Sequence, residues 1–304
     1  MKAAFIRRFG GPEVLEYGEL PDPSPKAGEV LVEIHATSVN AADWKMRSGQ
    51  YGAAVSFPHV PGRDFSGMIV SSAQHFKSGD AVFGVCEVPR EGAYAEKIAI
   101  REAIVARKPE RLSHVQTAAI ALAGLTAVVS LEETLQLKRG ETILIQGGAG
   151  GVAGFAIALA KHLGARVITT ASATNHDYVR KLGADEVIDY KAQDFTRVAK
   201  DVDAVFDTVG GDVTTRSFSV LKPGGRLASI AVGGAAPASP RPDVQSLRPK
   251  VDRDRRRLDR VAELVAKGAV PLPHIVEYPL AKAAEAHRVS EARHLRGKLV
   301  LRVR

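Results

Sequence analysis

Two textures of hydrophobic patterning divide the chain. Up to about residue 112, short β-like runs (Lys2–Arg7, Glu29–Ala36, Ser66–Val70, Ala81–Val85 and Ala93–Ile98) alternate with Gly and Pro turns. Many short strands with that punctuation suggest a β-barrel-like unit. The stretch Pro21-Asp22-Pro23-Ser24-Pro25 reads as a loop inside it. Near Leu112 the texture changes. Ser113 fits a helix N-cap, a helix containing Val115–Val129 is predicted, and strand–helix alternation follows.

The clearest unit lies at 142–172. Ile143-Leu144-Ile145 reads as a buried parallel strand, and Gly147, Gly148, Gly150 and Gly151 follow at once. Val152, Phe155, Ala156, Leu159 and Leu163 then recur on one helical face, Gly164 stands at the C-cap, and Arg166–Thr170 is the next strand. Further on come a helix over 174–182, strands over 186–188 and 204–207, a Gly210-Gly211 turn, a helix to Leu221 and a strand over 226–230. This alternation is that of a doubly wound parallel sheet. The Gly-, Ala- and Pro-rich stretch 233–249 reads as a loop, and a helix over 254–267 closes the second domain. Lys298–Leu301 is a strand suited to return to the first.

The glycines have a chemical use in that setting. Gly148-Ala149-Gly150-Gly151-Val152-Ala153 fits a dinucleotide-binding fingerprint with alanine in its last place. Glycine lets the backbone approach a pyrophosphate, and the free N–H groups at the helix start favour the anion. A purely structural turn is the alternative; strand, helix and second strand in the required order favour the ligand. NAD-binding units carry an acidic residue at the end of the second strand, to hold the ribose 2′-hydroxyl. Here Thr170, Ala171, Ser172 and Thr174 stand there, with no carboxylate before Asp177. Small hydroxyl side chains leave room for a 2′-phosphate, so NADP(H) is the expected cofactor. Ser172 and Thr174 suit helix capping equally well.

Composition narrows the classes. The 304 residues have room for two domains and a sizeable core, with 45% hydrophobic and 25% charged residues. The net charge is +8, but Arg253, Arg255, Arg256, Arg257 and Arg260 are interleaved with Asp252, Asp254 and Asp259. That is the pattern of a solvated helix face; without aromatic residues to stack on bases it argues against nucleic acid. By this reading no apolar run approaches the ~20 residues that span a bilayer, and the N-terminus lacks a signal-peptide core, so no membrane association is expected. The single Cys86 excludes an internal disulfide and suits a reducing cytoplasm.

In sequence the chain resembles the zinc-independent quinone oxidoreductases, the zeta-crystallin-like branch of the medium-chain dehydrogenase/reductase superfamily. The matching pieces run in order along nearly the whole chain. They are GGPEVLE at 10–16, NAAD at 40–43 with RSG at 47–49, PGRDFSG at 61–67, GDAVFG at 79–84, GAYAE at 92–96 and AGLTA at 123–127. The fingerprint, LGADEVIDY at 182–190, FDTVGG at 206–211, LKPGGRL at 221–227 and RGKLVLRV at 296–303 follow. The resemblance implies a GroES-like catalytic domain made of 1–112 with 271–304, and a Rossmann NADP(H)-binding domain over 113–270. The cofactor would lie in the cleft between them.

It also implies roles. Gly148, Gly150, Gly151 and Val152 would carry the pyrophosphate, and Ser172 and Tyr190, with Lys181 a weaker candidate, the 2′-phosphate. Thr126 would touch the nicotinamide ribose or carboxamide, or else cap a turn in AGLTA. Val209 and Gly210 would lie against the cofactor, and Arg248 would line its side of the cleft. Asn40, Asp43 and Lys45 form the catalytic set; Asn40 and Asp43 would face the nicotinamide or only brace their loop. Lys45 stands where some relatives have tyrosine.

Compared with the zinc alcohol dehydrogenases of the superfamily, Asn40 replaces a cysteine ligand and Arg63-Asp64 a His-Glu pair, so no metal is expected. Arg63 and Asp64 would then pair with each other. Val244-Gln245-Ser246-Leu247 is a poor version of the strand that joins two subunits, which leaves a homodimer open. The expected activity is zinc-independent hydride transfer from NADPH to a quinone or α,β-unsaturated carbonyl. A non-catalytic NADPH sensor and an enoyl-thioester reductase are the alternatives.

Overall fold

A computed structural model describes residues 1–51, 55–231 and 233–304. By its contacts the chain forms two compact units: Met1–Leu122 with Arg253–Ala266 and His274–Arg304, and Ala123–Asp252 with Lys267–Pro273.

The first unit is built on a seven-stranded sheet. Its order is Ile275–Pro279, Lys298–Arg302, Glu29–Val39, Asp64–Ile69, Ala81–Val85 and Val105–Arg107, with Lys97–Arg101 also paired to Glu29–Val39. Only the Ile275–Pro279 pair with Lys298–Arg302 is parallel. The 11-residue strand Glu29–Val39 alternates half-buried and buried positions, then ends in four buried ones. That run lets it serve three neighbours. Gly67 has a packing reason: a Cβ there would sit 2.0 Å from the Glu33 carbonyl oxygen. Val32, Ile34, Phe65, Val82 and Val105 fill the core on this sheet. As the pattern suggests, the C-terminal strand returns here, with Leu299 opposite Val39 and Arg302 opposite Ala36.

The second unit holds six parallel strands in the order Glu186–Asp189, Arg166–Ala171, Thr142–Gln146, Val202–Asp207, Leu221–Ser229, Gln245–Leu247. In chain order that is 3-2-1-4-5-6, the doubly wound arrangement. Its switch point falls between Thr142–Gln146 and Val202–Asp207, where crevices for ligands form beyond the strand ends.

Three sequence expectations are corrected here. The stretch read as a loop over 233–249 contains the edge strand Gln245–Leu247, which pairs with Arg226–Ala228. The helix expected to close the second domain, Arg255–Ala266, groups by contact with the first unit. Arg255 donates from Nε to the Val105 carbonyl and from Nη2 to that of Glu102, each at 2.9 Å, and its guanidinium lies 5.0 Å from the Phe76 ring. Amphipathic spacing locates a helix but does not say which sheet its apolar face covers. Third, among the described residues one helix, His114–Thr134, is long and apolar enough to cross a membrane. Its most apolar window is 78% buried inside the protein, the mark of a core helix. The run was missed because Gln116, Thr117 and Thr126 interrupt its apolar residues.

Candidate functional site

In the second unit, the turn after Thr142–Gln146 is held from two sides. Gly147 has φ +77, its N–H donates to Thr170 Oγ1 at 3.0 Å, and the N–H of Gly148 donates to the Thr170 carbonyl at 2.9 Å. Thr170 Oγ1 in turn donates to the buried Gln146 side chain at 2.8 Å. The helix Gly151–His162 starts behind Gly150, an extended N-cap without a side-chain cap. Its first N–H groups are therefore free of any capping side chain, as an anion site requires. Val152 lies in its first turn.

The fingerprint glycines differ in purpose. A Cβ on Gly148 would meet Thr169 Oγ1 at 2.3 Å and Ile157 Cδ1 at 3.0 Å, so Gly148 is required by packing. A Cβ on Gly150 finds nothing nearer than the Gly147 carbonyl oxygen at 3.4 Å, and φ is an ordinary −73. The fold leaves that space; a ligand brought close to the backbone would use it.

Beside this turn, Asp207 ends its strand fully buried. It accepts from the N–H groups of Val209 at 2.9 Å and Gly210 at 3.1 Å, from Ser229 Oγ at 3.0 Å and from Thr214 Oγ1 at 2.5 Å. One carboxylate thus fixes the second loop of the switch point. Val209 is exposed and Gly210 has φ +88. On the other side, Ala171 lies opposite Asp189 in the parallel ladder, which makes Ser172 and the exposed Tyr190 neighbours at two strand ends. Ser172 Oγ meets Thr174 Oγ1 and Asn175 Nδ2, each at 3.1 Å. Lys181 ends the short helix His176–Lys181, and Arg248 directly follows the edge strand Gln245–Leu247. Thr126 is almost buried within the helix His114–Val128. AGLTA is therefore helical, and the turn-capping alternative for Thr126 is set aside.

In the first unit, the three residues expected to be catalytic gather around the short helix Ala41–Arg47. Asp43 caps its start, accepting from the Asn40 N–H at 2.8 Å, and also accepts from Tyr94 Oη at 3.1 Å. Its side chain is fully buried and Oδ1 has no partner. Of the two roles open to Asp43, its bonds are those of a brace. Asn40 is partly exposed; its Nδ2 donates to Asp64 Oδ2 at 3.1 Å and to the Ser38 carbonyl at 3.2 Å. Lys45 is half-buried, with Nζ 5.7 Å from the Trp44 ring centre, and burial, reinforced by Arg293, lowers its pKa.

Arg63 and Asp64 do not form the pair expected of them. Arg63 Nε donates to Glu91 Oε1 at 2.8 Å, and His59 Nε2 meets Glu91 Oε2 at 2.9 Å. Asp64 instead takes the Ser38 N–H at 2.8 Å and Ser38 Oγ at 2.7 Å. Arg63 lies in the bend just before the strand Asp64–Ile69, and its side chain goes to Glu91 while that of Asp64 goes to Ser38.

Sequence reasoning assigned nothing to four residues here. Tyr94 Oη also meets His287 Nε2 at 3.0 Å, and His287 Nδ1 meets Arg47 Nη1 at 3.2 Å. Lys298, 4% exposed, donates to Asn40 Oδ1 at 2.6 Å and to the Val39 carbonyl at 3.0 Å. Asp207 is the fourth. Tyr94, Lys298 and Asp207 lie in matched motifs; His287 has no local signal.

Burial pushes the Asp43 carboxyl up to about 7; Arg63 opposes this and Asp64 adds to it. The folded state then binds the proton that the unfolded chain, with an ordinary carboxylate near 3.8, has released. Stability from this group is therefore greatest at acid pH and declines as pH rises from about 4 to about 7. Asp43→Asn removes that dependence. Its urea midpoint, relative to wild type, should rise between pH 4.5 and 7.5 by the equivalent of a few kcal/mol at most. A wild-type-minus-variant difference that is flat with pH would show that Asp43 is ionised throughout.

A doubly wound sheet with a glycine turn at its switch point is the arrangement of a dinucleotide-binding domain. The chain belongs to the quinone oxidoreductases of the medium-chain dehydrogenase/reductase superfamily. Residues 26–110 match the alcohol dehydrogenase GroES-like domain, and residues 182–301 match the zinc-binding dehydrogenase family. The chain is 32% identical to a chloroplast envelope quinone oxidoreductase homolog of Arabidopsis thaliana, covering 96% of this chain and 95% of the relative. It is also 32% identical to the chloroplastic NADPH-dependent alkenal/one oxidoreductase of the same plant, over 99% and 79%. The structure of Escherichia coli quinone oxidoreductase complexed with NADPH superposes with a TM-score of 0.89 at 29% identity, covering 99% and 100%.

The second family description raises zinc, and the donor set does not fit it. Among the described residues no group of three or more His, Cys, Asp or Glu is placed to hold a metal. Where a ligand would be expected, Asn40 Oδ1 already accepts from Lys298 Nζ at 2.6 Å.

Proposed function

We propose that this chain transfers hydride from NADPH to a quinone or to the β-carbon of an α,β-unsaturated carbonyl, without zinc. The observation that carries the reading is the Gly150 backbone, open to a close ligand at the switch point of the sheet. When bound, reduced nicotinamide supplies the hydride. The residues of the chain bind and orient. Gly148, Gly150, Gly151 and Val152 hold the pyrophosphate at the helix start, and Ser172 and Tyr190 meet the 2′-phosphate. Val209, Gly210, Thr126 and Arg248 line the remainder. Asn40 and Lys45 face the acceptor, while Asp43 holds the helix that carries them. A conjugated acceptor delocalises the negative charge left on its oxygen, so a Lewis acid is dispensable.

In this reading the protein works in the cytoplasm, in keeping with its single buried cysteine. The three-residue edge Gln245–Leu247 offers little apolar surface for joining two subunits. The test is NADPH oxidation by metal-analysed protein against quinones, enones and enoyl-CoA. Turnover with quinones or enones, less than stoichiometric zinc and indifference to chelator are expected. Stoichiometric zinc together with loss of turnover on chelation would overturn the metal-free chemistry, and turnover of enoyl-CoA alone would reassign the substrate.

A further inference from the structure

We propose that Lys298 is a positioning residue for the reductive step: its buried ammonium orients the Asn40 amide and holds a positive charge beside the group that meets the acceptor. The inference rests on the function proposed above, which places Asn40 at the acceptor.

The topology brings the two residues together. The strand Lys298–Arg302 pairs antiparallel with the end of Glu29–Val39, Leu299 opposite Val39, so Lys298 arrives beside residue 40 from the far end of the chain. Its Nζ spends two of three donors, on Asn40 Oδ1 at 2.6 Å and the Val39 carbonyl at 3.0 Å.

This fixes which way the amide points. An ammonium cannot accept, so the oxygen of Asn40 must face Lys298, leaving Nδ2 to donate to Asp64 Oδ2 at 3.1 Å and the Ser38 carbonyl at 3.2 Å. A flipped amide would set N–H against N–H at one end and oxygen against carboxylate at the other. Lys298, Asn40 and Asp64 thus form a chain of cation, polarised amide and anion. Its outer members are buried, and only Asn40 is partly exposed.

A balanced charge alone would not need this arrangement. Burial lowers the Lys298 pKa, and Asp64 and Asp43 act against that. A buried ion pair is seldom a net gain in stability. Its use becomes plain in the reaction. Hydride from NADPH forms the new C–H bond at the β-carbon, the C=C pair shifts to make the enolate double bond, and the carbonyl electron pair moves onto oxygen. Oxidised cofactor remains, and water supplies the proton that completes the enol or, from a quinone, the hydroquinone. Negative charge therefore develops on the acceptor oxygen; both Nδ2 hydrogens of Asn40 are already given to Asp64 and Ser38, so the stabilisation comes from the fixed positive charge behind the amide, without reorganisation.

The experiment compares Lys298→Met, Asn40→Ala, the double variant and wild type, with Lys298→Met/Asp64→Asn to restore charge balance. In cofactor-free protein, the Asn40 side-chain amide resonance should shift in Lys298→Met. NADPH affinity by fluorescence should stay within ~3-fold and kcat should fall ~30-fold, below the 10²–10³ known for a direct oxyanion donor. Lys298→Met should then add less than ~3-fold to Asn40→Ala, because the lysine acts through the amide. Adding Asp64→Asn should restore the melting temperature but not kcat. Additive losses, or recovery of kcat together with stability, would overturn the proposal and leave Lys298 a charge balancer. An unshifted Asn40 amide would also overturn it. A wild type that oxidises NADPH with none of the acceptors would refute the proposed function instead, and the amide resonance would still report on the Lys298 contact.

Discussion

Gly150→Val should abolish NADPH binding while leaving the fold standing. The residue occupies an N-cap with φ −73 and ψ 161, an extended conformation that valine adopts readily. Its Cβ would lie 3.4 Å from the Gly147 carbonyl oxygen, a tolerable contact. Exchanging glycine for a poor N-cap residue costs about 1 kcal/mol, or roughly 2–4 °C of melting temperature in a domain of this size. The added methyl groups fill the space a pyrophosphate needs, so NADPH affinity should fall by more than ~10²-fold. Gly148→Val provides the contrast. Its Cβ collides with Thr169 and Ile157, and overpacking costs about 1–3 kcal/mol or more, so it should lower the melting temperature directly. Calorimetry and fluorescence titration on both variants separate the roles. A Gly150→Val protein that binds NADPH normally would show that the pyrophosphate does not rest on this turn.

The second unit was largely legible because its signals are local. The strands from Thr142 to Ser229 are short runs rich in apolar residues, the first closed directly by Gly147, and each helix face repeats within its own segment. The first unit was legible only in outline. Expected runs 66–70 and 93–98 became Asp64–Ile69 and Lys97–Arg101, because pairing with Glu29–Val39 and, at Asp64, with Val85 rather than local propensity sets their ends. Ile275–Pro279 and the helix Ala283–Glu291 escaped notice entirely. The latter supplies His287, 193 residues from Tyr94 and 240 from Arg47. No spacing rule reaches that far. Lys298 shows the same limit, since its motif was visible but its partner 258 residues away was not. Arg63 illustrates the reverse error: adjacency in sequence suggested a pair with Asp64, but its partner is Glu91, 28 residues on.

Ser172→Asp should reverse the cofactor preference from NADPH to NADH. Ser172 follows the strand Arg166–Ala171 at the end that faces the switch point, with Tyr190 on the neighbouring strand end. Its hydroxyl accepts from Asn175 Nδ2 at 3.1 Å, and an aspartate oxygen can take over that bond, so the local turn should persist. Aspartate is also a good N-cap for the helical turn Ala173–Asn175. What changes is charge. A carboxylate beside the 2′-phosphate meets a like charge in a partly buried place, a penalty of a few kcal/mol, or about a hundredfold in affinity. With NADH the same carboxylate accepts from the ribose 2′-hydroxyl, the bond acidic residues make in NAD-binding units. Paired fluorescence titrations at one ionic strength decide it, because screening weakens repulsion between charges near the surface. The wild type should bind NADPH more tightly and the variant NADH. Equal wild-type affinities, or a ratio unmoved by the substitution, would mean that the adenosine ribose is held elsewhere than at Ser172.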